Sequence, residues 1–534
     1  ISTTLPCGRS SRRSSVCGSR AACCCNRAVL KKCHLMNMFG SLAVAGMLVM
    51  SGAGVAEAWL VGDGSTGDPL YRIDGLDNAA VSLDKGTGVA TVSGPVVITD
   101  ASFSGIQARI DGKAEAYPQI DVTASVDVSA KGEAAVSSQD GIINIGSAEN
   151  YVDSIKLHTK NTKLNATDPT DLFSTIYARN LFGEGQVNLY GKNVSITTEE
   201  NALKEGSGKW GCAISGNGSG EINIHGKDVV VIRGAIESLN TKMQSDGTTG
   251  IKININQDAA DTAKVDMEGI YINAADKSEV NIKGADGSSV TSKLIATASD
   301  KVSGGKINIA LAGDSSSYTG VIDAKNRGEI SVEAGTITAA GGAGQAVSVN
   351  GATVALEGKN IMLTSASSGG VSKTVEATNG ATLSFNGAQT TIRNGSTTTG
   401  KNYGVYLDNA EAVFAADSTQ IDVKGIGSSG NWGYGIVLWN GAKASFTGGA
   451  VSISDYQKDY TAQTVTVRKG SSLELKNSGD VMIKAESPYG ATAVVVKEHD
   501  NASLSFDNTG NVTISAAIED PAEHAGTNVV GLMI

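Results

Sequence analysis

The chain alternates apolar and polar residues in short runs that recur at a regular interval. Six such runs begin at Val354, Leu383, Ala412, Ala444, Leu473 and Leu504, and successive starts are 29 to 32 residues apart. Alternation with a period of two predicts β-strands that bury one face. A repeat of this length over six copies indicates a solenoid, in which each coil buries its apolar side against its neighbours.

Each coil contains two further runs of the same kind. The second starts seven to nine residues after the first, at Ile361, Thr390, Ile421, Val451, Val481 and Val512. The third precedes the turn, as in 404–407, 435–438 and 493–496. We therefore predict an all-β protein: a right-handed parallel β-helix with three short strands per coil of about 29–32 residues.

Turn residues support the same register. Three positions before each aligned run stand residues that tolerate a left-handed backbone, namely Gly351, Gly380, Asn409, Gly441, Gly470 and Asn501. Gly and Asn adopt positive φ more readily than other residues. We expect these six residues to form the corners of the coils.

Further upstream the repeat is less even. First-strand candidates begin at Ile143, Val187, Ile222, Val280, Ile307 and Ile330, so the pattern identifies twelve coils between residues 143 and 534. Residues 59–142 are β-rich but less periodic. We assign them to an N-terminal cap with the first irregular coils, since a solenoid has to cover its terminal coil.

The first 58 residues have a different character. Lys31 and Lys32 precede the apolar run 38–50, and small residues follow up to Ala56 and Ala58. A basic segment, a short apolar segment and an A-x-A site are typical of a cleavable export signal. We assign the signal peptide to 30–58, with cleavage at Ala56 and Ala58, and we expect 1–29 to be disordered upstream read-through.

Composition narrows the classes of protein that remain. The chain has 66 Gly but only 7 Pro, and 40% of its residues are hydrophobic, which excludes collagen and disfavours disorder. The formal net charge is −11, and seven bases lie within the first 32 residues, so we expect no nucleic-acid partner for the main body. Six of the seven cysteines precede residue 34, which leaves Cys212 alone and excludes a disulfide framework.

An export signal followed by Gly-rich, Cys-poor, acidic coils resembles the passenger region of a Gram-negative autotransporter. The resemblance covers residues 30–534, and 379–385 (Asn-Gly-Ala-Thr-Leu-Ser-Phe) is its clearest repeat. It implies display at the cell surface or outer membrane, or release outside the cell, through a C-terminal outer-membrane barrel of the same chain. No barrel-like strands follow the coils in this sequence, so we expect it to be a fragment truncated at its C-terminus.

Motifs for catalysis are scarce. The main body has no H-E-x-x-H and no phosphate-binding loop, so no catalytic residue, cofactor or metal ligand is assigned. One alternative stays open. Carboxylates on neighbouring coils, with Asp422 and Glu474 as illustrations, would allow a secreted β-helical polysaccharide lyase or hydrolase.

Aromatic residues cluster within two coils. Tyr403, Tyr406, Trp432, Tyr434 and Trp439 are candidates for a ligand platform, because exposed rings stack on sugars or on protein partners. The leading hypothesis is a non-enzymatic, adhesin-like or structural rod that contacts host or bacterial glycans or proteins. A self-associating protein of the cell envelope is a further alternative.

Overall fold

The computed structural model describes residues 58–65, 68–74, 81–112, 116–131, 133–160, 174–180, 185–199, 212–239, 250–299, 303–366, 370–395, 400–426, 432–497, 500–518 and 528–534. Most of the proposed export segment, including Ala56, lies outside these residues, and Ala58 is the first residue inside them. Within them the chain forms 42 β-strands. A search of this described part for a helix long and apolar enough to cross a membrane finds none.

The strands form three walls, named first, second and third in the order in which each coil visits them. Eleven strands belong to the first wall alone: Val89–Val92, Gln119–Val122, Ile142–Ile145, Lys252–Ile255, Glu279–Gly284, Lys306–Leu311, Glu329–Glu333, Glu411–Phe414, Lys443–Phe446, Ser472–Leu475 and Ser503–Phe506. Nine belong to the second wall alone: Val96–Ala101, Val126–Ala130, Val152–Thr159, Ser317–Thr319, Thr336–Ala340, Ser418–Gly425, Ala450–Gln457, Val481–Glu486 and Val512–Ala517.

The remaining strands of the coils belong to the third wall or bend across a corner. The third wall contains Ile106–Arg109, Val136–Gln139, Ser174–Asn180, Cys212–Gly218, Ala235–Leu239, Ile322–Lys325, Val347–Asn350, Ser372–Thr378, Asn402–Asp408, Gly433–Trp439, Ala462–Val467, Ala491–Val496 and Val529–Met533. Four strands cover the first and second walls: Gln186–Thr198, Glu221–Arg233, Thr353–Ser365 and Thr382–Gly395. Two cover the second and third walls: Lys264–Ala275 and Ser289–Thr297.

Neighbouring coils pair in parallel along all three walls, which confirms the predicted parallel β-helix. On the first wall, for example, Ile142 pairs with Gln119 of the preceding coil and with Gln186 of the following one. Each wall contains fifteen strands within the described residues. Thirteen of the first-wall strands lie after residue 141. The sequence repeat identifies twelve coils there because it misses Lys252–Ile255.

Coil length varies more than the repeat predicts. From Thr353 onward the aligned first-wall residues are 29 to 32 positions apart, whereas the coil from Ile142 to Gln186 has 44 residues and that from Lys306 to Glu329 has 23. The walls keep their register throughout, so the differences in length fall at the corners. The predicted length of 29–32 therefore holds for the C-terminal coils alone.

Antiparallel strands lie at the N-terminal end of the helix. Trp59–Val61 pairs with Leu70–Ile73, which pairs in turn with the third-wall strand Ile106–Arg109. Val81–Asp84 forms an antiparallel pair with Val89–Val92 on the first wall. The edges of the first coil are thus hydrogen-bonded on two walls, which removes a template for uncontrolled strand pairing.

The core is a narrow stack of aliphatic columns that includes one aromatic column. Phe385, Phe414 and Phe446 stand in register on the first wall, and their ring centroids are 4.9 Å and 4.5 Å apart. All three rings are buried. Ala412 and Ala444 occupy the adjacent inner column, where small side chains leave room for the rings.

The corners between the third and first walls have the left-handed backbone that the sequence predicts. The φ angles are 58° at Gly351, 78° at Gly380, 51° at Asn409, 80° at Gly441, 72° at Gly470 and 57° at Asn501. Asn379 and Asn440 also have positive φ. Two consecutive left-handed residues make a tight reversal, so the chain turns sharply between two short strands.

Replacement of Phe414 by Ala should destabilise the helix by about 3–5 kcal/mol, because it opens a cavity between two stacked rings. Phe506→Ala is the matched control: this ring stands in the same column but is 38% exposed, so its loss should cost less than half as much. Urea unfolding followed by circular dichroism measures both variants. Equal losses would contradict a stack that is stabilised by burial.

Gly380→Ala should destabilise the protein by about 1 kcal/mol through backbone strain alone. An added Cβ would meet nothing within 4 Å, but φ is +78°. The control is Gly395→Ala, where the space is equally open and φ is not in the left-handed region. That substitution should be neutral or slightly stabilising, and the same unfolding midpoints distinguish the two cases.

Candidate functional site

Four of the five predicted platform residues form one cluster on the third wall. The rings of Tyr403 and Tyr434 stand in register and stack at 4.9 Å with an interplanar angle of 6°. Tyr406 meets Tyr403 edge-on at 5.4 Å, and Trp432 lies 6.4 Å from Tyr434. All four side chains are partly exposed. We call Tyr403, Tyr406, Trp432 and Tyr434 the aromatic patch.

The fifth predicted residue, Trp439, lies at the other end of the strand Gly433–Trp439. Its ring contacts two cations, with Arg468 Cζ at 4.7 Å and Lys469 Nζ at 4.5 Å from the centroid. Among the described residues it makes no ring contact with the aromatic patch. Cation–π contacts of this kind stabilise the corner near residue 440.

The aromatic patch carries one cation and neutral phenols. Lys373 Nζ lies 3.9 Å from the ring centroid of Tyr406, and the same lysine pairs with Glu376. Burial raises the pKa of Tyr403, and burial likewise raises the pKa of Tyr434 to about 12. Both phenols are therefore protonated at neutral pH. The patch presents ring faces together with hydroxyl groups that can donate hydrogen bonds.

A column of asparagines runs along the outer face of the first wall. Its members occupy equivalent positions in six consecutive coils: Asn144, Asn188, Asn223, Asn254, Asn281 and Asn308. At each step Nδ2 donates to Oδ1 of the preceding asparagine at 2.8–2.9 Å. Asn144 in turn donates to Oδ1 of Asp121 at 2.7 Å. We call this column the asparagine ladder.

Sequence reasoning missed the asparagine ladder, although its signal is visible. The triplets at 143–145, 222–224, 253–255, 280–282 and 307–309 share an Asn between two aliphatic residues. Each aliphatic pair points inward and is buried, so the Asn between them has to face outward. Only the register of the coils shows that these amides lie directly above one another.

A charged cluster lies beside the ladder. His225 Nδ1 is 2.9 Å from Oδ2 of Asp261 and 3.4 Å from Oδ2 of Asp258. Tyr151 donates its hydroxyl to Oδ1 of Asp261 at 2.7 Å. Among the described residues, these three His and Asp side chains are the group whose ligand atoms converge for a metal ion, within 4.8 Å of one another.

The chemistry of Asp261 favours an ordered loop. Burial acts to raise the pKa of Asp261, but hydrogen bonds from His225 and Tyr151 outweigh it and lower the pKa. Asp261 also accepts the backbone N–H of Asp258 at 3.0 Å. The ionised carboxylate is thus occupied on both oxygens, and it has no proton to deliver as a general acid near neutral pH.

The two carboxylates that illustrate an enzymatic pair lie on different walls. Asp422 belongs to Ser418–Gly425 on the second wall, and Glu474 belongs to Ser472–Leu475 on the first. Each is close to a lysine of its own strand, Lys424 at 3.9 Å and Lys476 at 2.6 Å. The structure does not bring this pair together on one face.

Comparison of the chain with protein-family models, with curated proteins and with solved structures gives no match.

Asp455 is a carboxylate in the interior of the helix. It is 1% exposed and accepts hydrogen bonds from Gln457 Nε2 at 2.7 Å and from the backbone N–H of Gln463 at 3.0 Å. A Cβ at Gly433 would lie 2.4 Å from its Oδ1, so the glycine makes room for the buried group. Burial raises the pKa of Asp455 to about 7.

Replacement of Asp455 by Asn should change the pH dependence of stability. Because the folded pKa exceeds the unfolded value, the native state binds the proton more tightly. The resulting penalty is absent below about pH 4, grows towards pH 7 and is complete above it. The Asn variant should therefore gain on the wild type by up to about 4 kcal/mol between pH 4 and pH 8. Urea unfolding at several pH values tests this, and a difference that does not vary with pH would contradict it.

Proposed function

We propose that the chain is an exported, non-enzymatic β-helical rod of the autotransporter passenger type, which binds a partner surface through the aromatic patch. The observation that carries the proposal is the patch itself. Four adjacent rings stay partly exposed on a wall whose other large apolar side chains point into the core. Partly exposed aromatic clusters are a common feature of binding surfaces.

The geometry of the patch suits a ligand with flat apolar faces and polar edges. The stacked pair Tyr403 and Tyr434 spans two coils, and strands in a sheet are about 4.8 Å apart. Lys373 and the phenolic hydroxyls border the rings. Glycans and aromatic-rich protein surfaces both have this character, and we propose them as the partners of the rod.

The non-enzymatic part of the proposal is supported by the charged groups. The described His and Asp cluster around His225 is arranged by internal hydrogen bonds, and Asp261 has a lowered pKa. A catalytic acid for glycoside cleavage needs a raised pKa and access to substrate. Export rests on the signal pattern of residues 30–58 and on the scarcity of cysteine after residue 33.

The double variant Trp432→Ala with Tyr434→Ala should weaken binding of the purified protein at least about tenfold, since it removes two adjacent ring faces. The probes are immobilised oligosaccharides, both neutral and acidic, and cultured epithelial cells. Trp439→Ala is the matched control, because this ring lies outside the patch, and binding should be nearly unchanged.

Two results would count against this function. Wild-type binding that survives the double variant would remove the aromatic patch as the binding surface. Sedimentation that shows concentration-dependent self-association, without binding to either probe, would favour the self-associating envelope protein instead. Circular dichroism of each variant shows that the fold is retained.

A further inference from the structure

One ring of an aromatic column on the first wall has an uncovered face. Tyr190 and His225 stand in register, and their rings stack at 4.2 Å with an interplanar angle of 4°. On the other side of Tyr190, the preceding coil has Gly146, which follows Ile145, the partner of Leu189. The column thus lacks one side chain where the next ring would stand.

Gly146 is required by the local backbone. Its φ is +74°, and a Cβ at this position would lie 2.4 Å from the carbonyl oxygen of Tyr190 and 3.1 Å from its Cβ. A side chain is therefore excluded at this step of the column. Thr123 occupies the equivalent position one coil further down, so two coil spacings, about 9.6 Å, separate it from Tyr190.

The missing side chain opens a cavity of about 410 Å³ beside the asparagine ladder. Tyr190 forms one side of it, and polar groups of Asp121, Asn144, Asn188, Glu149 and Asn150 line the rest. The volume lies within the range of small-molecule sites. Lys and Arg are absent from the lining, so its charged groups are the carboxylates of Asp121 and Glu149.

We propose that this cavity binds a neutral pyranose ring, stacked on the free face of Tyr190. A pyranose presents C–H groups on its faces, which pack on an aromatic ring, and hydroxyls at its edge. The carboxamides of Asn144 and Asn188 accept and donate hydrogen bonds, and the carboxylates accept them from hydroxyl groups. Acidic sugars are disfavoured, because their carboxylates would face Asp121 and Glu149 without a cation.

The ring of Tyr190 is held in place for this role. His225 covers its opposite face, and Tyr151 meets it edge-on at 5.6 Å. Both neighbours are tied to Asp261, by the Tyr151 hydroxyl at 2.7 Å and by His225 Nδ1 at 2.9 Å. The charged cluster thus acts as a support that positions Tyr190, and a preorganised platform loses less entropy on binding.

Isothermal titration calorimetry of the full chain tests the site, with maltotriose, cellotriose and mannotriose as neutral probes and trigalacturonate as the acidic probe. We expect a neutral trisaccharide to bind and the uronate to bind at least about tenfold more weakly. Tyr190→Ala should reduce neutral binding at least tenfold, while Tyr190→Phe should retain it, because stacking needs the ring and not the hydroxyl.

A second variant keeps the test independent of folding. Glu149 is exposed, so Glu149→Gln should leave the unfolding midpoint unchanged and reduce the discrimination against trigalacturonate. The double variant Trp432→Ala with Tyr434→Ala should bind the trisaccharide as well as the wild type does, which separates this site from the aromatic patch.

Three outcomes would overturn the proposal. The first is no heat of binding from any neutral trisaccharide up to about 10 mM. The second is equal affinity for the acidic probe, which would refute the neutral ligand class. The third is equal loss of binding in Tyr190→Phe and Tyr190→Ala, which would refute stacking on the ring.

Discussion

The hydrogen-bonded register between coils is the constraint on which the rest of the structure depends. Parallel pairing holds successive coils about 4.8 Å apart, so every side chain stands directly above its equivalent in the preceding coil. A residue is therefore chosen less for its own position than for what lies above and below it. Phe385, Phe414 and Phe446 show the result in the core, where ring stacks on ring.

The same constraint acts on polar columns at the surface. At the start of the first-wall strands, Glu221, Lys252, Glu279, Lys306 and Glu329 alternate in sign. Like charges at this spacing would repel, whereas alternation places each charge between two opposite ones; Lys306 and Glu329 approach to 2.8 Å. Amides solve the problem differently, since Asn both donates and accepts and can be stacked on itself.

Much of the fold could be predicted from the sequence because a solenoid repeats its signals. The apolar runs after Thr353 and the Gly or Asn corners are local features, and both are present in the structure. The N-terminal coils were harder to recognise, because corner insertions shift the spacing between Ile142 and Gln186 to 44 residues. Lys252–Ile255 was missed for a similar reason: coil lengths around it are uneven.

The candidate sites depended on information that no local pattern contains. The aromatic patch could be predicted because its rings lie within two coils, although Trp439 lies apart from it. The cavity beside Tyr190 could not, since it arises where a glycine of one coil meets the next coil across a long insertion. His225 and Asp261 likewise come together only when the loop after Asn256 folds back on the first wall.

The asparagine ladder also gives the first wall a sense of direction. Each amide donates towards Asp121 and accepts from the opposite side, so reversal of one amide would bring oxygen against oxygen and N–H against N–H. The six amides can therefore reverse only together, and the carboxylate of Asp121, which cannot donate, forbids that. Their dipoles add along the axis, with the N–H end at Asp121 and the oxygen end at Asn308. The wall is in this respect a polar filament, ordered in one sense by a single anion.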